Sequence, residues 1–450
     1  MSSEKVKVID LFCGAGVGAV GIIDANCEIV YACDTSKFAV ENYNHNHNHE
    51  AVVANVRTLN PLDIPYGDII VGGFPCKSFS IGSHVAKGFD DKDTGDLAFH
   101  FYRFVKSLMP LGFVIENVSA ITRDKFKEDL NSLKQAFKDL GYLIEDKLLD
   151  CYDYGVPQNR KRFFIVGTRA DAKINYEFPD PVPENEKRTL RDAIYDIKDK
   201  MCELPNHCDH HDVMDHSPRF RGMNRQRQWD QPAFTVVSDT RNICMYPEPP
   251  NYNISKEEVL DKSKMPRRFT PRENLRLQTV PDSFEFIEGS SLSMQYKRCS
   301  GIPPLMMRKL IEPLRDGIIE YKGRNQVPKL NIDKELENFI TPLARRQRNS
   351  LALDIYENGC RDSIILWKGK NIIVDGHNRY RICQERNFEF NTIEQDFSDI
   401  EQAKSFMISN QITRRNLNSF EQVELLKKMF ERKKEDNPFI KKSLYKEISD

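Results

Sequence analysis

The sequence predicts an α/β fold with a parallel sheet covered by helices on both faces. Strand-like and helix-like segments alternate over residues 5–170, which is typical of such sheets. A glycine-rich turn follows the first apolar segment, and a second short apolar run, "DIIVGG", ends in two glycines. Both patterns indicate buried strands that end in loops at one edge of the sheet.

Each predicted element follows from this alternation. Apolar segments predict strands at 5–12, 28–34, 68–73, 112–118 and 162–169. Amphipathic segments between them predict helices at 18–25, 36–45, 97–109 and 126–141. Helical character returns later in the chain, at 270–278 and 303–321.

Composition changes predict the domain boundaries. The principal α/β domain is expected to combine residues 1–174 with 266–321, because the pattern becomes irregular over 175–265. A polar stretch, 322–331, predicts a linker. Residues 332–450 are expected to form a second α/β unit with its own strand, "NIIVDG", and C-terminal helices.

The composition limits the function classes. The net charge is −1 with 30% charged residues, so any nucleic-acid binding must come from local basic patches. No apolar stretch approaches the roughly 18 residues of a membrane span, and the N-terminus lacks a signal-peptide pattern. The 11 scattered cysteines suit reduced thiols. We therefore expect a cytoplasmic protein without a membrane partner.

The turn "DLFCGAGVGAVG" is a candidate nucleotide-type binding loop. Gly14 and Gly16 allow close backbone approach to a ligand at a helix N-terminus. Asp34 ends the second predicted strand at the spacing of a ribose-binding carboxylate. A structural turn with a surface acid remains the alternative.

Three further stretches contain candidate catalytic side chains. Cys76 follows Pro75 at a strand end, which suits a rigidly held nucleophile, although an inert cysteine would look the same. "VIENV" places Glu116 at the end of an apolar strand, where a buried acid needs a partner. In "YGVPQNRKRFFIVG", Arg160 and Arg162 alternate and so share one face of an extended segment.

Together and in this order, these motifs resemble the cytosine-5 DNA methyltransferase family over residues 5–320. The shared features are the "DLF" glycine motif, the "PC" loop, the "ENV" strand, a Q-x-R-x-R motif and the helix "RRFTPRENLRLQ". The resemblance implies a Rossmann-like domain that transfers a methyl group from S-adenosylmethionine to carbon 5 of a cytosine flipped out of DNA. It further implies a prokaryotic or phage origin.

The resemblance also implies residue roles. The thiolate of Cys76 would attack carbon 6 of the base, Glu116 would hydrogen-bond or protonate the pyrimidine, and Arg160 and Arg162 would hold the cysteine loop and the cytosine carbonyl. The residues expected near the methyl donor are Phe12, Gly14, Gly16, Asp34, Asn55 and Pro75. One departure is Cys299-Ser300, where the family has Gly-Asn before its final helix.

The irregular region 175–265 is expected to recognise the DNA target, as in the family. Arginine, asparagine, glutamine and aromatic residues in it suit phosphate and major-groove contacts, whereas a solvated loop is the alternative. The candidate DNA-contacting residues are Arg219, Arg221, Arg225 and Arg227.

Two histidine-rich stretches raise the alternative of a metal site. His45, His47 and His49 alternate in "NYNHNHNHE", and residues 202–216 contain two cysteines and four histidines. The first stretch lies where the family has a polar loop, and the second lacks paired CxxC spacing. The prediction is therefore no metal.

Residues 335–430 resemble the ParB/sulfiredoxin-like domain. "DGHNR" at a strand–turn–helix junction suggests a phosphate site formed by backbone amides, His377 and Arg379. Ser409 departs from that family, whose nucleotide-hydrolysing members have an acid before the residue equivalent to Asn410. We therefore expect binding or tethering and not hydrolysis.

Double-stranded DNA is the expected substrate, and a restriction nuclease is a candidate partner. Two other functions are consistent with some of these features. Methylation of structured RNA would use the same catalytic residues, but the arginine-rich insert favours duplex DNA. A non-catalytic DNA-binding regulator would lack Cys76, Glu116 or Arg162, and all three are present.

Overall fold

The computed structural model describes residues 5–74, 96–208, 226–238, 246–248, 267–324 and 327–414. It divides into two compact units, Met1–Arg324 and Asn325–Asp450, which are considered separately below. None of the helices within those described ranges is both long and apolar enough to cross a membrane.

The described part of the first unit contains a seven-stranded sheet in the order β3-β2-β1-β4-β5-β7-β6. The strands are β1 (Lys7–Leu11), β2 (Glu28–Asp34), β3 (Val52–Val53), β4 (Ile69–Gly72), β5 (Gly112–Val118), β6 (Tyr142–Asp150) and β7 (Lys161–Arg169). β1 to β5 pair in parallel, so the carboxyl ends of these strands lie at one edge. β7 runs antiparallel to both β5 and β6.

The sheet packs against helices through an apolar core. The helices of the first unit are α1 (Val17–Asp24), α2 (Lys37–Asn46), α3 (Leu97–Leu108), α4 (Lys127–Asp139), α5 (Leu190–Ile194), α6 (Pro271–Leu277), α7 (Leu292–Arg298) and α8 (Pro304–Arg324). α8 packs against α1. A Cβ on Gly21 would lie 2.2 Å from the Pro304 carbonyl oxygen, so this contact requires glycine.

The predicted strands and helices of residues 5–170 form, but the sheet is mixed and not wholly parallel. β3 and β6 were not predicted. β6 is an edge strand whose centre is exposed, including Glu145, Asp146 and Lys147. Because neither face of that segment is buried, its sequence lacks the apolar pattern of a buried strand. The antiparallel direction of β7 could not be predicted, because an apolar run looks the same in a parallel and in an antiparallel strand.

The region predicted to be irregular contributes to a second apolar cluster in the first unit. Leu190 and Ile194 of α5 pack there with Ala233 and Val236. The same cluster includes Leu275 from α6, so parts of 175–265 are joined to the segment that resumes at residue 267. The described parts of the region thus pack on the principal domain.

The second unit contains a three-stranded sheet in its described residues, in the order β10-β8-β9. Its elements are α9 (Lys334–Phe339), α10 (Arg345–Asn358), β8 (Cys360–Trp367), β9 (Ile372–Asp375), α11 (His377–Arg386), β10 (Phe390–Gln395) and α12 (Ile400–Arg414). α8 continues to Arg324, and Asn331 pairs with Ile372. Both ends of the predicted linker, 322–331, therefore belong to regular structure.

Candidate functional site

The glycine turn after β1 forms one wall of the candidate site. Phe12, Gly14 and Gly16 have left-handed backbone conformations, with φ of 67°, 56° and 91°. A Cβ on Gly16 would lie 2.4 Å from His47 Nε2, and that ring nitrogen is 3.0 Å from the Gly16 carbonyl oxygen. His47, from the first histidine-rich stretch, thus supports the turn from the side of α2.

Asp34 holds the same turn from the end of β2. Its Oδ2 accepts a hydrogen bond from the Gly14 N–H at 3.1 Å, and its Oδ1 accepts one from the Ser36 N–H at 2.8 Å. The carboxylate predicted to bind ribose is therefore already engaged by the backbone. Each oxygen keeps a further lone pair that can accept a ligand hydroxyl.

A cavity of about 240 Å³ opens between the glycine turn and the carboxyl ends of the neighbouring strands. Its wall contains polar and charged side chains beside apolar ones. Among the residues that line it are Asp10, Phe12, Gly14, Val71, Gly73, Phe74, Glu116, Arg160, Arg162, Ser300, Gly301, Ile302 and Met307. The structure thus brings the predicted glycine turn and three predicted catalytic side chains around one space.

Glu116 and Arg162 form an ion pair in this wall. Arg162 Nε lies 2.8 Å from Glu116 Oε1, and the two side chains are only 13% and 15% exposed. The antiparallel pairing of β5 and β7 brings them together, since Val118 on β5 is opposite Arg162 on β7. Low exposure strengthens such a charge-assisted hydrogen bond and holds both groups in one geometry.

Arg160 connects the cavity to another part of the chain. Its side chain is buried, and Nη1 donates to the Val236 carbonyl oxygen at 3.0 Å. Its backbone N–H donates to Asp150 Oδ1 at 2.9 Å. Arg160 therefore lies in the wall as a fixed group that also anchors residue 236.

Asp10 is a site residue that the sequence interpretation missed. It lies in β1, is 6% exposed and lines the cavity. No hydrogen bond to its carboxyl group occurs within the part of the chain that the structure describes. Burial, assisted by the nearby charge of Asp34, raises the pKa of Asp10 to about 8. The available signal was a lone acid in the otherwise apolar run "VIDLF" at residues 8–12.

Of the predicted donor-site residues that the structure describes, Phe12 and Gly14 line the cavity, whereas Gly16, Asp34 and Asn55 do not. Asn55 is exposed, and its side-chain oxygen accepts a hydrogen bond from the Arg57 N–H at 3.0 Å. Pro75 lies outside the described residues, as does the predicted nucleophile Cys76. Phe74, which directly precedes them in the chain, is buried at the cavity, with its ring centre 6.2 Å from that of Phe12.

The chemistry of the wall fits S-adenosylmethionine. The turn presents backbone N–H groups at the start of α1, and Asp10 offers an acidic group to an ammonium ion. Apolar side chains such as Phe12 and Met307 provide surface for an adenosine group. A Cβ on Gly14 would meet no atom of the described residues within 4 Å, which leaves room for a ligand beside the turn.

The predicted DNA-contacting residues are only partly described. Arg219, Arg221 and Arg225 lie outside the described residues. The Arg227 guanidinium carbon lies 4.0 Å from the centre of the Phe234 ring, a cation–π arrangement. Arg227 is therefore partly buried against its own region.

In the second histidine-rich stretch, His207 is engaged by the protein. Its Nδ1 is 2.9 Å from Thr270 Oγ1, and its Nε2 is 2.9 Å from the Ile197 carbonyl oxygen. Within the described ranges, no three histidine, cysteine or acidic side chains are grouped as metal ligands would be.

The second unit places His377 at the first turn of α11. Gly376 precedes it with φ of 99°, and burial lowers the pKa of His377. Arg379 lies 3.4 Å from Asp375 and 3.8 Å from Asp362. These carboxylates compensate the arginine charge, so an anion at this helix terminus would compete with them.

Known proteins similar to this chain match it mainly over the first unit. The profile of the family described as C-5 cytosine-specific DNA methylase matches residues 6–315. The type II methyltransferase M.FnuDI of Fusobacterium nucleatum is 34% identical over 324 residues, which cover 68% of this chain and 93% of that protein. M.MthTI of Methanothermobacter thermautotrophicus, also a type II methyltransferase, is 33% identical over 63% of this chain and 88% of its own length.

Solved structures show the same fold. The Dnmt2 methyltransferase of S. pombe superposes with a TM-score of 0.54 at 18% identity, over 70% of this chain and 99% of that protein. The Entamoeba histolytica methyltransferase EhMeth gives 0.52 at 19% identity, with the same coverage. At these identities the likeness concerns the fold alone.

Proposed function

Because the chain belongs to the C-5 cytosine-specific DNA methylase family and is a DNA (cytosine-5-)-methyltransferase that uses S-adenosylmethionine, we propose that its cavity is the donor site and Cys76 its nucleophile. The cofactor supplies an electrophilic methyl group when bound. The chain's own residues bind the donor, hold the base and move protons. The supporting observations follow residue by residue.

Asp10 and the glycine turn are proposed to bind the donor. An ammonium group would keep the Asp10 carboxylate ionised, because an opposite charge lowers the pKa that burial has raised. Asp34 would act mainly by fixing Gly14, with its remaining lone pairs available to ribose hydroxyls. Asn55 and Pro75 stay proposed donor contacts from the family resemblance.

Cys76 is proposed to attack carbon 6 of the flipped cytosine as a thiolate. Attack makes carbon 5 nucleophilic, so that it accepts the methyl group, and loss of the carbon-5 proton then expels the cysteine. Glu116 would hydrogen-bond or protonate the pyrimidine edge, and Arg162 would keep that carboxyl group in place at 2.8 Å. Arg160 would contribute positive charge from the same wall.

One observation carries this proposal: the Glu116–Arg162 pair lines the same cavity as Asp10 and the glycine turn. A purely structural ion pair would not need to face that space. The residues proposed to bind the donor and those proposed to activate the base would therefore face the same cavity.

The test is bisulfite sequencing of DNA and total RNA from cells expressing either the parent or Cys76→Ser. We expect methylated DNA cytosines with the parent and at least about 100-fold less with Cys76→Ser, because a serine hydroxyl is barely ionised at neutral pH. Cys202→Ser is the matched control, since Cys202 is an exposed thiol distant in sequence from the "PC" loop. Activity of Cys76→Ser within tenfold of the parent would contradict the mechanism, and methylation confined to RNA would contradict the DNA substrate.

Residues 175–265 are proposed to recognise the target sequence in double-stranded DNA. The support is their arginine-rich composition and the bond from Arg160 to residue 236, which joins this region to the cavity wall. The proposed phosphate-contacting residues are Arg219, Arg221, Arg225 and Arg227.

The second unit is proposed to be a ParB-like module that binds or tethers and does not hydrolyse nucleotide. The support is Gly376 in a left-handed conformation before α11, with His377 at its first turn. The acids beside Arg379 argue for a weakly bound phosphate. A cytoplasmic location and a restriction-nuclease partner stay proposals from the family resemblance; the relatives are named type II methyltransferases.

A further inference from the structure

Two buried glutamines form a continuous amide link through the first unit. Gln158 lies three residues before the start of β7, and Gln278 directly follows α6; both are fully buried. The Gln158 Nε2 donates to Gln278 Oε1 and to the Leu277 carbonyl oxygen, each at 2.7 Å. The two side chains therefore act as one hydrogen-bonded unit.

The link ends at two functionally distinct segments. Gln158 Oε1 accepts a hydrogen bond from the Val236 N–H at 3.0 Å. At the other end, Gln278 Nε2 donates to the carbonyl oxygens of Cys299 at 3.0 Å and Gly301 at 3.4 Å. Gly301 lies in the wall of the cavity.

Residues 233–236 are attached to the residues before β7 by further backbone bonds. The Asn159 N–H donates to the Ala233 carbonyl oxygen at 2.8 Å, and the Ala233 N–H donates to the Pro157 carbonyl oxygen at 3.0 Å. Displacement of this segment would therefore move the Gln158 backbone and side chain together.

The amides of the link have only one satisfactory orientation. The Val236 N–H can only donate, whereas the carbonyl oxygens of Cys299 and Gly301 can only accept. Turning either glutamine amide over would oppose two donors or two acceptors in the buried core. Such unsatisfied buried groups are strongly disfavoured, so the link is directional and rigid.

We propose that Gln158 and Gln278 are positioning residues that couple DNA engagement at residues 233–236 to the donor-site wall at Gly301. This inference rests on the proposed assignment of 175–265 to target recognition. When DNA fixes residue 236, the link holds the Gly301 wall in its binding geometry, so DNA tightens donor binding. The same factor must then apply in reverse, because coupling between two binding sites is reciprocal.

The test compares Gln278→Met with Asn42→Leu in the full-length chain. Methionine keeps the length and approximate volume of glutamine but cannot make these hydrogen bonds. Asn42 on α2 is the matched control, because its amide is also fully buried, donates to the Phe38 carbonyl oxygen at 2.8 Å and accepts from the Ile287 N–H at 3.2 Å. It lies outside residues 175–265 and does not line the cavity, and leucine keeps its approximate shape without the hydrogen bonds. Calorimetry measures the Kd of S-adenosylhomocysteine with and without a plasmid fragment that bisulfite sequencing has shown to be methylated.

For the parent, we expect DNA to tighten S-adenosylhomocysteine binding by at least about fivefold, within the usual range of allosteric coupling. In Gln278→Met the ratio should fall to within about twofold of unity, while Asn42→Leu keeps the parent ratio. Gln278→Asn, which shortens the side chain by one methylene, provides a milder variant if the methionine variant does not fold.

A parent ratio near unity, or a folded Gln278 variant that keeps the parent ratio, would overturn the coupling. Equal loss of the ratio in Asn42→Leu would assign the effect to general destabilisation and would also overturn it. These outcomes leave parent methylation intact. Absence of methylation by the parent is instead the failure of the proposed function.

Discussion

Replacing Lys322 should destabilise the first unit, because this residue compensates a buried charge. Asp68 is fully buried immediately before β4; its Oδ2 accepts a hydrogen bond from the Lys7 N–H at 2.9 Å. Its Oδ1 lies 2.7 Å from Lys322 Nζ on α8. Lys322→Met keeps most of the apolar length of the side chain and removes the ammonium group.

Breaking a buried ion pair by removing one partner costs about 3–5 kcal/mol, and the lower end applies because Lys322 remains 29% exposed. We therefore expect a loss of about 3 kcal/mol. Asp68→Asn added to Lys322→Met should restore most of it, because the amide oxygen can still accept from Lys7 without a buried charge.

The penalty should also depend on pH in a defined direction. Burial raises the pKa of Asp68 even with Lys322 opposing it. The protonated carboxyl contributes stability that is complete below the unfolded pKa, about 3.9, and is lost as pH rises through the folded pKa. Lys322→Met raises that folded pKa further, so its penalty should be largest above the folded pKa and should shrink as the pH falls.

Urea unfolding followed by tryptophan fluorescence measures these changes. The chain has two tryptophans, Trp229 in the first unit and Trp367 in the second, so a Trp367→Phe background reports on the first unit. A penalty below about 0.5 kcal/mol, or one that does not change with pH, would refute the reasoning and class the pair with exposed salt bridges.

Four further predictions concern activity. Glu116→Gln should lower kcat by about 10²–10⁴-fold while the Kd of S-adenosylhomocysteine changes less than about threefold; a kcat within tenfold would exclude Glu116 from proton transfer. Gly16→Ala should weaken S-adenosylhomocysteine binding by at least about tenfold, because its Cβ would lie 2.4 Å from the His47 ring and its φ is 91°; unchanged calorimetric affinity would contradict this. A chain ending at residue 329 should methylate short duplexes at a rate close to that of the full chain, and a folded but inactive truncation would place the second unit within the catalytic machinery. Alanine at any two arginines of the proposed DNA-contacting set should reduce the slope of log affinity against log salt by about 2, and an unchanged slope would move recognition elsewhere; the set is Arg219, Arg221, Arg225 and Arg227.

The sequence predicted a strand correctly wherever buried apolar residues follow one another along it. β1, β2, β4 and β5 lie in the buried centre of the sheet, and their apolar runs predicted them closely. β6 is an exposed edge strand, and β3 has two residues, so neither leaves such a pattern. The direction of β7 depends on its partners far along the chain, which a local pattern does not contain.

The sequence predicted site residues where a short motif identified both the residue and its function, but it did not predict which of these residues are in contact. Glu116 and Arg162 were both predicted, but their 2.8 Å contact follows from the pairing of β5 with β7. Asp10 was missed because a single acid in a strand also fits a structural ion pair. Asn55 was predicted at the donor site from the family resemblance, but its side-chain oxygen accepts a hydrogen bond from the Arg57 N–H. Of the proposed donor-binding residues, Asn55 therefore has the least structural support.

The departure at Cys299-Ser300 is explained by how the cavity wall is held. Ser300, Gly301 and Ile302 all line the cavity, although this chain has Cys299-Ser300 where the family resemblance led us to expect Gly-Asn. Gln278 holds the wall through the carbonyl oxygens of residues 299 and 301, and the Cys299 side chain is fully buried. Because backbone groups make these bonds, the wall tolerates a change of side chain at 299 and 300 as long as the glutamine link is kept.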